Sequence, residues 1–399
     1  MEAEFGNVRI SVVLPCLNEE RAVGAVVDAA WRGIESTGEE GEVIVVDNGS
    51  TDRSAEIAAE HGARVVSERR PGYGSAYLRG LAEAQGEVIV MADADGTYPL
   101  EDLRAFARAI EGADLVLGSR FRGRIHRGAM PWKHRWIGNP ILTAVLNVFF
   151  GVRVSDAHCG LRAIRRSALR ILHLQATGME FASEMILKAA KRGLVVDEVP
   201  IEYRPRVGDS KLHSWRDGWR HLRFMLIHSA NFLFIIPGTV LLLLGLVVLI
   251  PMSTGPVHVF GVTWHIHAMI VASTATILGA QIVQLGLFAR TYAVLYLDDR
   301  DRLLEWLWSR VRLEYGLALG LLVTLAGIGI LVGIFVQWAG DGFGALSRVY
   351  LAMLALTLVG LGIQGVFGSF FVSVLGLRSE YRLDAEDPAR ERAETPVRV

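Results

Sequence analysis

The chain has 399 residues, 51% of them hydrophobic and 21% charged, with a formal net charge of −1. That balance excludes a disordered chain, a collagen and a small disulfide scaffold, and it supplies no global positive field to recruit nucleic acid. The two cysteines, Cys16 and Cys159, fit a reducing compartment better than a disulfide framework. A polar start runs into the short apolar stretch 10–14, too brief for the core of a signal peptide.

Residues 10–14, 43–46, 64–67, 88–91 and 115–118 are short β-branched or aliphatic runs, the pattern of buried strands. Helical patterns lie between them at 20–35, 52–61, 74–84 and 100–111. This alternation predicts an α/β domain on an open, mostly parallel, Rossmann-like sheet. Ligands of such sheets sit beyond the carboxyl ends of the strands, where the polar clusters 16–20, 47–52 and 93–97 fall.

Farther along, 136–152 is apolar but about half the length a bilayer requires, and Asn139, Thr143 and Asn147 form one polar stripe along it. A helix expected at 180–192 carries Glu180 and Glu184 four residues apart. Segment 214–227 opens with the capping-box spacing Ser214-x-x-Asp217 and sets Trp215, Trp219, Leu222 and Leu226 beside Arg216, Arg220 and Arg223. Both apolar segments read as helices lying in the headgroup plane. Four stretches, 230–250, 268–289, 315–337 and 349–377, contain no Asp, Glu, Lys or Arg and match the roughly 20-residue span of a hydrocarbon core.

The connection 251–267 has no Lys or Arg, and 338–348 has only Arg348. Between the second and third spans lie Arg300, Arg302, Arg310 and Arg312, and the tail carries Arg378, Arg382, Arg390, Arg392 and Arg398. By the positive-inside rule the front domain, the middle loop and the tail are expected on the cytoplasmic side of the cell membrane. The expected organisation is an α/β domain over 1–213, an interfacial helix over 214–228, a four-span domain over 229–377 and a disordered tail over 378–399.

Asp93 and Asp95 follow a buried strand and are two residues apart, so in an extended segment both carboxylates address one ion. A hard cation such as Mg²⁺ takes a few oxygen ligands and completes its shell with phosphates, which suits a diphosphate leaving group. From 115 to 155 no Asp or Glu occurs, while Arg120, Arg122, Arg124, Arg127, Lys133, Arg135 and Arg153 do. Cations at that density next to an interfacial helix fit a lipid phosphate. His158 and Cys159 are adjacent and lack the spacing of a zinc site.

These clusters resemble the family 2 glycosyltransferases of GT-A fold, and among them the dolichyl- or polyprenyl-phosphate glycosyltransferases with C-terminal transmembrane helices. The resemblance runs over roughly residues 8–215. It rests on Pro15-Cys16-Leu17-Asn18-Glu19, on Val46-Asp47-Asn48-Gly49-Ser50-Thr51-Asp52 and on Gly72-Tyr73-Gly74-Ser75-Ala76. It continues through Asp93-Ala94-Asp95, Gly118-Ser119-Arg120-Phe121 and Gly208-Asp209-Ser210-Lys211-Leu212. The resemblance implies a nucleotide-sugar site (UDP- or GDP-linked) lined by Pro15, Asn18, Glu19, Asp47, Asn48, Gly74 and Asp93, with Arg206 and Lys211 on the diphosphate. Mg²⁺ or Mn²⁺ would be held by Asp93 and Asp95, with Thr97 where relatives often have Gln.

Arg120 and Arg135 match the family's acceptor-phosphate arginines, and Asn139 stands where the family has Ser. Asp156, Glu180 and Glu184 read as site architecture, because a phosphate acceptor is already anionic and needs no general base. The reaction expected is direct displacement with inversion at the anomeric carbon. Asp95, Arg120, Arg135 and Lys211 carry it, and a polyprenyl-phosphate sugar for cell-envelope or protein glycosylation is the product. Rival readings are another acceptor, diacylglycerol or a polysaccharide, and a non-catalytic transport or flippase-associated protein. The bilayer is an expected partner and nucleic acid is not; a homo-oligomer through the membrane helices stays open.

Overall fold

The computed structural model describes residues 9–208, 214–296, 313–344 and 348–385. The chain divides into two compact units, Met1–His228 and Ser229–Val399.

In the first unit, strands and helices alternate along the chain. β1 (Ile10–Cys16), α1 (Val23–Thr37), β2 (Gly41–Asp47), α2 (Ser54–Glu60) and β3 (Arg64–Ser67) lead into α3 (Tyr73–Glu83), β4 (Val88–Met91), α4 (Arg104–Gly112) and β5 (Leu115–Ile125). Then come α5 (Asn139–Phe150), β6 (Arg162–Arg165), α6 (Arg166–Leu172), α7 (Phe181–Lys191), β7 (Val196–Tyr203) and α8 (Ser214–Ile227). The sheet order is β3-β2-β1-β4-β6-β5-β7, and β6 alone runs antiparallel to its neighbours.

The sequence pattern does not predict β6 or β7, and each has a physical reason. β6 begins on Arg162, which is 2% exposed yet donates only to carbonyls, those of Cys159, Ala182 and Ala157. A buried strand that starts on arginine carries no apolar signature. β7 is one of the sheet's two edge strands and includes Pro200, a residue confined to edges because it cannot donate to a ladder.

Alternate strand residues feed two cores, one on each face of the sheet. Val12, Leu14, Val43, Val45 and Val90 meet Val27 and Ala30 of α1 and Phe106 and Ile110 of α4. Val13, Ile44, Val46, Ile89 and Met91 meet Tyr77 of α3, Leu146 of α5, Met185 of α7 and Met225 of α8.

A π-helical turn, His134–Gly138, opens into α5. The polar stripe of α5 faces inward: Thr143 Oγ1 accepts from the Ala157 N–H (3.3 Å), and Asn147 exchanges bonds with Val154 in both directions (2.8 and 3.2 Å). Its outer face is apolar and exposed through Ile137, Ile141 and Val148, with Trp132 and Trp136 just ahead of it at 62% and 69% exposure. α8 buries His221 and Met225 and leaves Trp219 and Ile227 exposed, with Arg220 and Arg223 on the same side. The proposed cap at Ser214 and Asp217, like Trp215, involves side chains outside the described residues.

The second unit contains α9 (Ile236–Met252), a small hairpin of β8 (Val257–Val259) and β9 (Val262–Trp264), and three long helices. These are α10 (Ile266–Tyr296), α11 (Leu313–Gly340) and α12 (Val349–Ala385). Among the described residues four helices are long and apolar enough to cross a membrane: Asn231–Met252, Ile266–Val294, Glu314–Gly340 and Val349–Leu375. Small residues let their backbones touch: a Cβ at Gly279 would stand 2.3 Å from the Leu242 nitrogen, and one at Gly362 2.5 Å from that of Thr324. Ser273 and Thr357 share a hydrogen bond (2.7 Å) between α10 and α12, and Gln284 Nε2 donates to the Gln364 carbonyl (2.7 Å). The arginines expected between the second and third spans and at 390–398 lie outside the described residues.

Candidate active site at the carboxyl edge of the sheet

Because β1, β2 and β4 are parallel neighbours, the loops that follow them emerge at one edge of the sheet. Pro15 sits in β1 opposite Val46, and Cys16 lies opposite Asp47. Asn18 adopts φ 51°, a left-handed conformation that asparagine tolerates, and its Oδ1 accepts from the Thr51 N–H at 2.7 Å. Asp47 Oδ1 accepts from the Ser50 N–H (3.0 Å) in an Asx turn. Asn48 donates to the carbonyls of Glu68 and Arg70 and accepts from the Gly72 N–H, fixing the approach to α3. A Cβ at Gly74 would stand 2.1 Å from the Ala176 oxygen, so only glycine lets α3 start so close to that loop.

The acidic pair follows β4. The segment does not continue extended: it turns at once, with Gly96 at φ 79°, and the turn brings the carboxylates together. Asp93 Oδ1 accepts from the Tyr73 hydroxyl (2.9 Å). Asp95 Oδ1 accepts from both the Thr97 N–H (3.0 Å) and the Thr97 hydroxyl (2.6 Å). Thr97 therefore aims Asp95, its hydroxyl being committed to that carboxylate. Burial, and then the neighbouring charge of Asp95, pushes Asp93 up to about 7.

Arg206 reaches in from beyond β7. It forms an ion pair with Glu19 and lies 3.4 Å from Asp95 Oδ2, while its Nε is buried and has no partner among the described residues. The Val207 N–H donates to the Asp95 carbonyl (3.1 Å) and the Arg204 N–H to that of Thr97 (2.9 Å), so this segment is laced to the acidic turn. Lys211, expected beside Arg206, lies outside the described residues.

The donor set suits a hard divalent ion. Two carboxylates converge, one with its charge resisted by burial, and the space beside them is kept clear by Gly160, where a Cβ would stand 2.7 Å from Asp93 Oδ2. Among the described residues no cluster of three His, Cys, Asp or Glu side chains forms a complete protein cage. An ion held by one or two carboxylates and finished by substrate phosphates requires none.

On the basic flank, Arg120 is 6% exposed and grips Asp156 with two parallel bonds of 2.7 Å, while its backbone N–H donates to the same carboxylate (3.1 Å). Its guanidinium also lies over the Tyr203 ring at 5.2 Å. The residue is locked. Arg135 differs: it sits in the π-helical turn, 5.3 Å from the Trp136 ring, on the exposed apolar side. Asn139 points its amide at Met130 Sδ (3.7 Å).

Glu184 is buried, accepts from the N–H groups of Gln175 and Ala176, and pairs with Lys188 at 2.8 Å. It shapes the 175–177 loop against which α3 starts. Glu180 accepts from the Gly178 N–H at 3.3 Å. Sequence reasoning overlooks three contributors. Tyr73 orients Asp93, and the Tyr98 hydroxyl accepts from the Gly160 N–H (2.8 Å). Glu198 holds Ser155 and Asp156 through their N–H groups. Tyr73 stands inside a motif already noted; Glu198 gives no signal beyond alternation on an edge strand.

Comparison with known proteins fits this architecture. Residues 11–172 match the model of glycosyl transferase family 2, and 287–376 match the glycosyltransferase family 2 C-terminal transmembrane region. The low-salt glycan biosynthesis hexosyltransferase Agl6 of Haloferax volcanii is 40% identical over 369 residues, 92% of this chain and 89% of that protein. The dolichyl-phosphate hexose transferase of the same organism is 37% identical over 213 residues, 52% of this chain and 89% of that protein. Glucosyl-3-phosphoglycerate synthase from Mycobacterium tuberculosis, solved with Mn²⁺, UDP and its product, superposes with a TM-score of 0.45 and 26% identity over 56% of this chain and 80% of that one. The chain belongs to glycosyltransferase family 2 and is a membrane glycosyltransferase.

Proposed function

We propose that this enzyme transfers a hexose from a nucleoside diphosphate sugar to a polyprenyl phosphate, with inversion, at the cytoplasmic face of the cell membrane. The observation that carries the reading is the pairing, within one unit, of the Asp93–Asp95 turn with a basic, tryptophan-rimmed helix that turns its apolar face outward. The dolichyl-phosphate relative and the four apolar helices support a lipid acceptor.

In this mechanism the lipid phosphate oxygen forms a bond to the anomeric carbon while the bond to the nucleoside diphosphate breaks on the opposite face. Asp93 and Asp95 would hold Mg²⁺ or Mn²⁺, which supplies charge neutralisation for the departing diphosphate. Arg206 leaves its carboxylate partners to meet the diphosphate, joined by Lys211. Arg135 receives the acceptor phosphate, and the locked Arg120 contributes fixed positive potential beside the acidic turn. Proximity and alignment provide the rest.

The engagement of Asp156 and Glu184 favours a phosphate acceptor, which needs no general base. Both oxygens of Asp156 are bound by Arg120, and Glu184 is bound by two N–H groups and Lys188. A hydroxyl acceptor would require one of these carboxylates to be available for a proton. The cytoplasmic orientation rests on the arginine-poor connections 251–267 and 338–348.

The test is direct. Purified enzyme with Mn²⁺ or Mg²⁺ and polyprenyl phosphate is offered a panel of labelled UDP- and GDP-sugars, and label is counted in the lipid extract. Label appearing in that extract is expected. Label found only in polymer, in protein or on diacylglycerol overturns the acceptor assignment.

A further inference from the structure

A cleft of about 660 Å³ opens at the other end of the sheet, where β1 and β4 begin and β6 ends. It is far from Asp93 and Asp95, which follow the opposite ends of those strands. Six arginines line it: Arg9, Arg104, Arg108, Arg165, Arg166 and Arg170, against three glutamates, Glu39, Glu87 and Glu111. Its floor is apolar, with Ile10, Val88 and Ile110. The volume lies within the range of small-molecule sites, and the wall is unusually rich in one sign of charge.

The charges are poorly cancelled. Arg9 pairs with Glu87 (2.6 Å), and Arg104 turns back to Asp102 (2.6 Å). The other four have no carboxylate partner among the described residues. Arg165 is fixed by the carbonyls of Ala113 and Glu111, and Arg166 by that of Gly86, so their direction is set while their charge remains. Arg108 and Arg170 are exposed and make no hydrogen bond or ion pair among the described residues. Arg104 and Arg108 stand four apart on α4, and Arg166 and Arg170 four apart across α6, spacings at which like charges repel. Burial, and then the charge of Arg170, lowers Arg166 from its ordinary value.

We infer that this cleft is a second ligand site, separate from the glycosyl-transfer centre, that takes a small anion bearing two or more phosphate groups. Arg108 of α4 and Arg170 of α6 offer open guanidinium forks suited to phosphate oxygens, while Arg165 and Arg166, whose Nε and Nη2 donate to backbone carbonyls, add fixed positive charge and their remaining N–H groups. Anchoring of Arg165 and Arg166 on backbone carbonyls fixes two of the six arginines before a ligand arrives. Such a ligand can be a soluble polyphosphate or a phosphorylated headgroup; the chemistry recognised is the same.

The full chain in nonionic micelles, with chelator present so that the Asp93–Asp95 turn holds no divalent ion, is titrated with inorganic tripolyphosphate by calorimetry. Saturable binding is expected, weakening roughly ten-fold or more in Arg108→Glu/Arg170→Glu. Glycosyl transfer at saturating substrates is expected to remain at the parent rate, because both side chains are exposed and outside the transfer site. The milder Arg108→Ala/Arg170→Ala pair should lose affinity in the same direction, so the result does not hang on one variant's folding. Displacement of bound tripolyphosphate by a short-chain lipid with a bisphosphorylated headgroup, but not by pyrophosphate, assigns a headgroup; displacement by pyrophosphate assigns a soluble anion. Absence of binding in the parent, or equal binding by all three proteins, overturns the inference.

Discussion

The acidic flank of the candidate site sets Glu19 and Asp95 against one guanidinium, that of Arg206, whose Nε has no partner among the described residues, and Asp93 stands two residues from Asp95 on the Tyr73 hydroxyl. On the basic flank, Arg120 and Asp156 hold each other through two parallel bonds, and Arg135 stands apart at the surface. The first is a half-filled arrangement with negative charge in excess, ready to take a cation. The second contrasts two arginines: one is built into the wall by a carboxylate, and under the proposed function the other is the one left to meet a ligand. Position after a strand places residues at the same edge, but only their partners determine which are available for chemistry.

Asp95→Asn strikes the acidic flank hardest. It removes one carboxylate from the pair and is expected to lower turnover by roughly 10²–10³-fold, the scale of losing a preorganised charge-stabilising group. Retained metal-dependent turnover in that variant would remove the acidic flank from the mechanism. Asp156→Ala tests whether Arg120 is structural. It leaves a buried guanidinium unpaired and should cost about 3–5 kcal/mol of stability, read as a fall in thermal midpoint. A variant that keeps its midpoint but loses activity would make Arg120 a ligand of substrate and erase the distinction drawn here.

Arg135→Ala should raise KM for polyprenyl phosphate by about ten-fold, with KM for the nucleotide sugar unchanged. An equal rise in both would place Arg135 on the wrong flank. Tyr73→Phe deletes a single hydrogen bond to Asp93 and is expected to weaken divalent-ion affinity about five-fold, on the order of 1 kcal/mol.

The smallest effect concerns pH. Burial, followed by the charges of His221, Arg162 and Arg120, holds His158 well below the ordinary histidine range. Its imidazole therefore stays neutral in the folded domain, while an unfolded chain takes up a proton below about 6.5. Stability from this group is complete above that value and declines as pH falls through it, because the unfolded state binds more protons. The Ser183 hydroxyl lies between His158 Nε2 (3.4 Å) and His221 Nδ1 (2.8 Å), so α8 shares this sensitivity. His158→Gln should flatten the dependence of the thermal midpoint on pH between about 5.5 and 7.5. A slope unchanged in the variant would assign the acid sensitivity to other groups.

Much of the fold is legible in the residues. Five strands and the four apolar spans announce themselves because each is a run of one character, and the loops at the carboxyl edge follow from parallel order. β6 escapes because Arg162 hides among carbonyls, and β7 because an edge strand needs only half a signature. At the site, the acidic pair, Glu19 and Arg206 come together from three distant parts of the chain. Which groups are spent is not written in the sequence. Asp47 and Asn48 bond to nearby backbone, Thr97 to Asp95 and Glu184 to a loop, and each of these depends on distances that only folding sets.

The orientation of α5 has a practical consequence. Its asparagines and threonine are turned into the domain, and its isoleucines, valine and neighbouring tryptophans are left on the outside. A shortened chain ending at His228, freed of every bilayer-crossing helix, would still present that oily strip to water. It should clump without detergent or lipid, so removing the anchor does not by itself yield a well-behaved soluble enzyme.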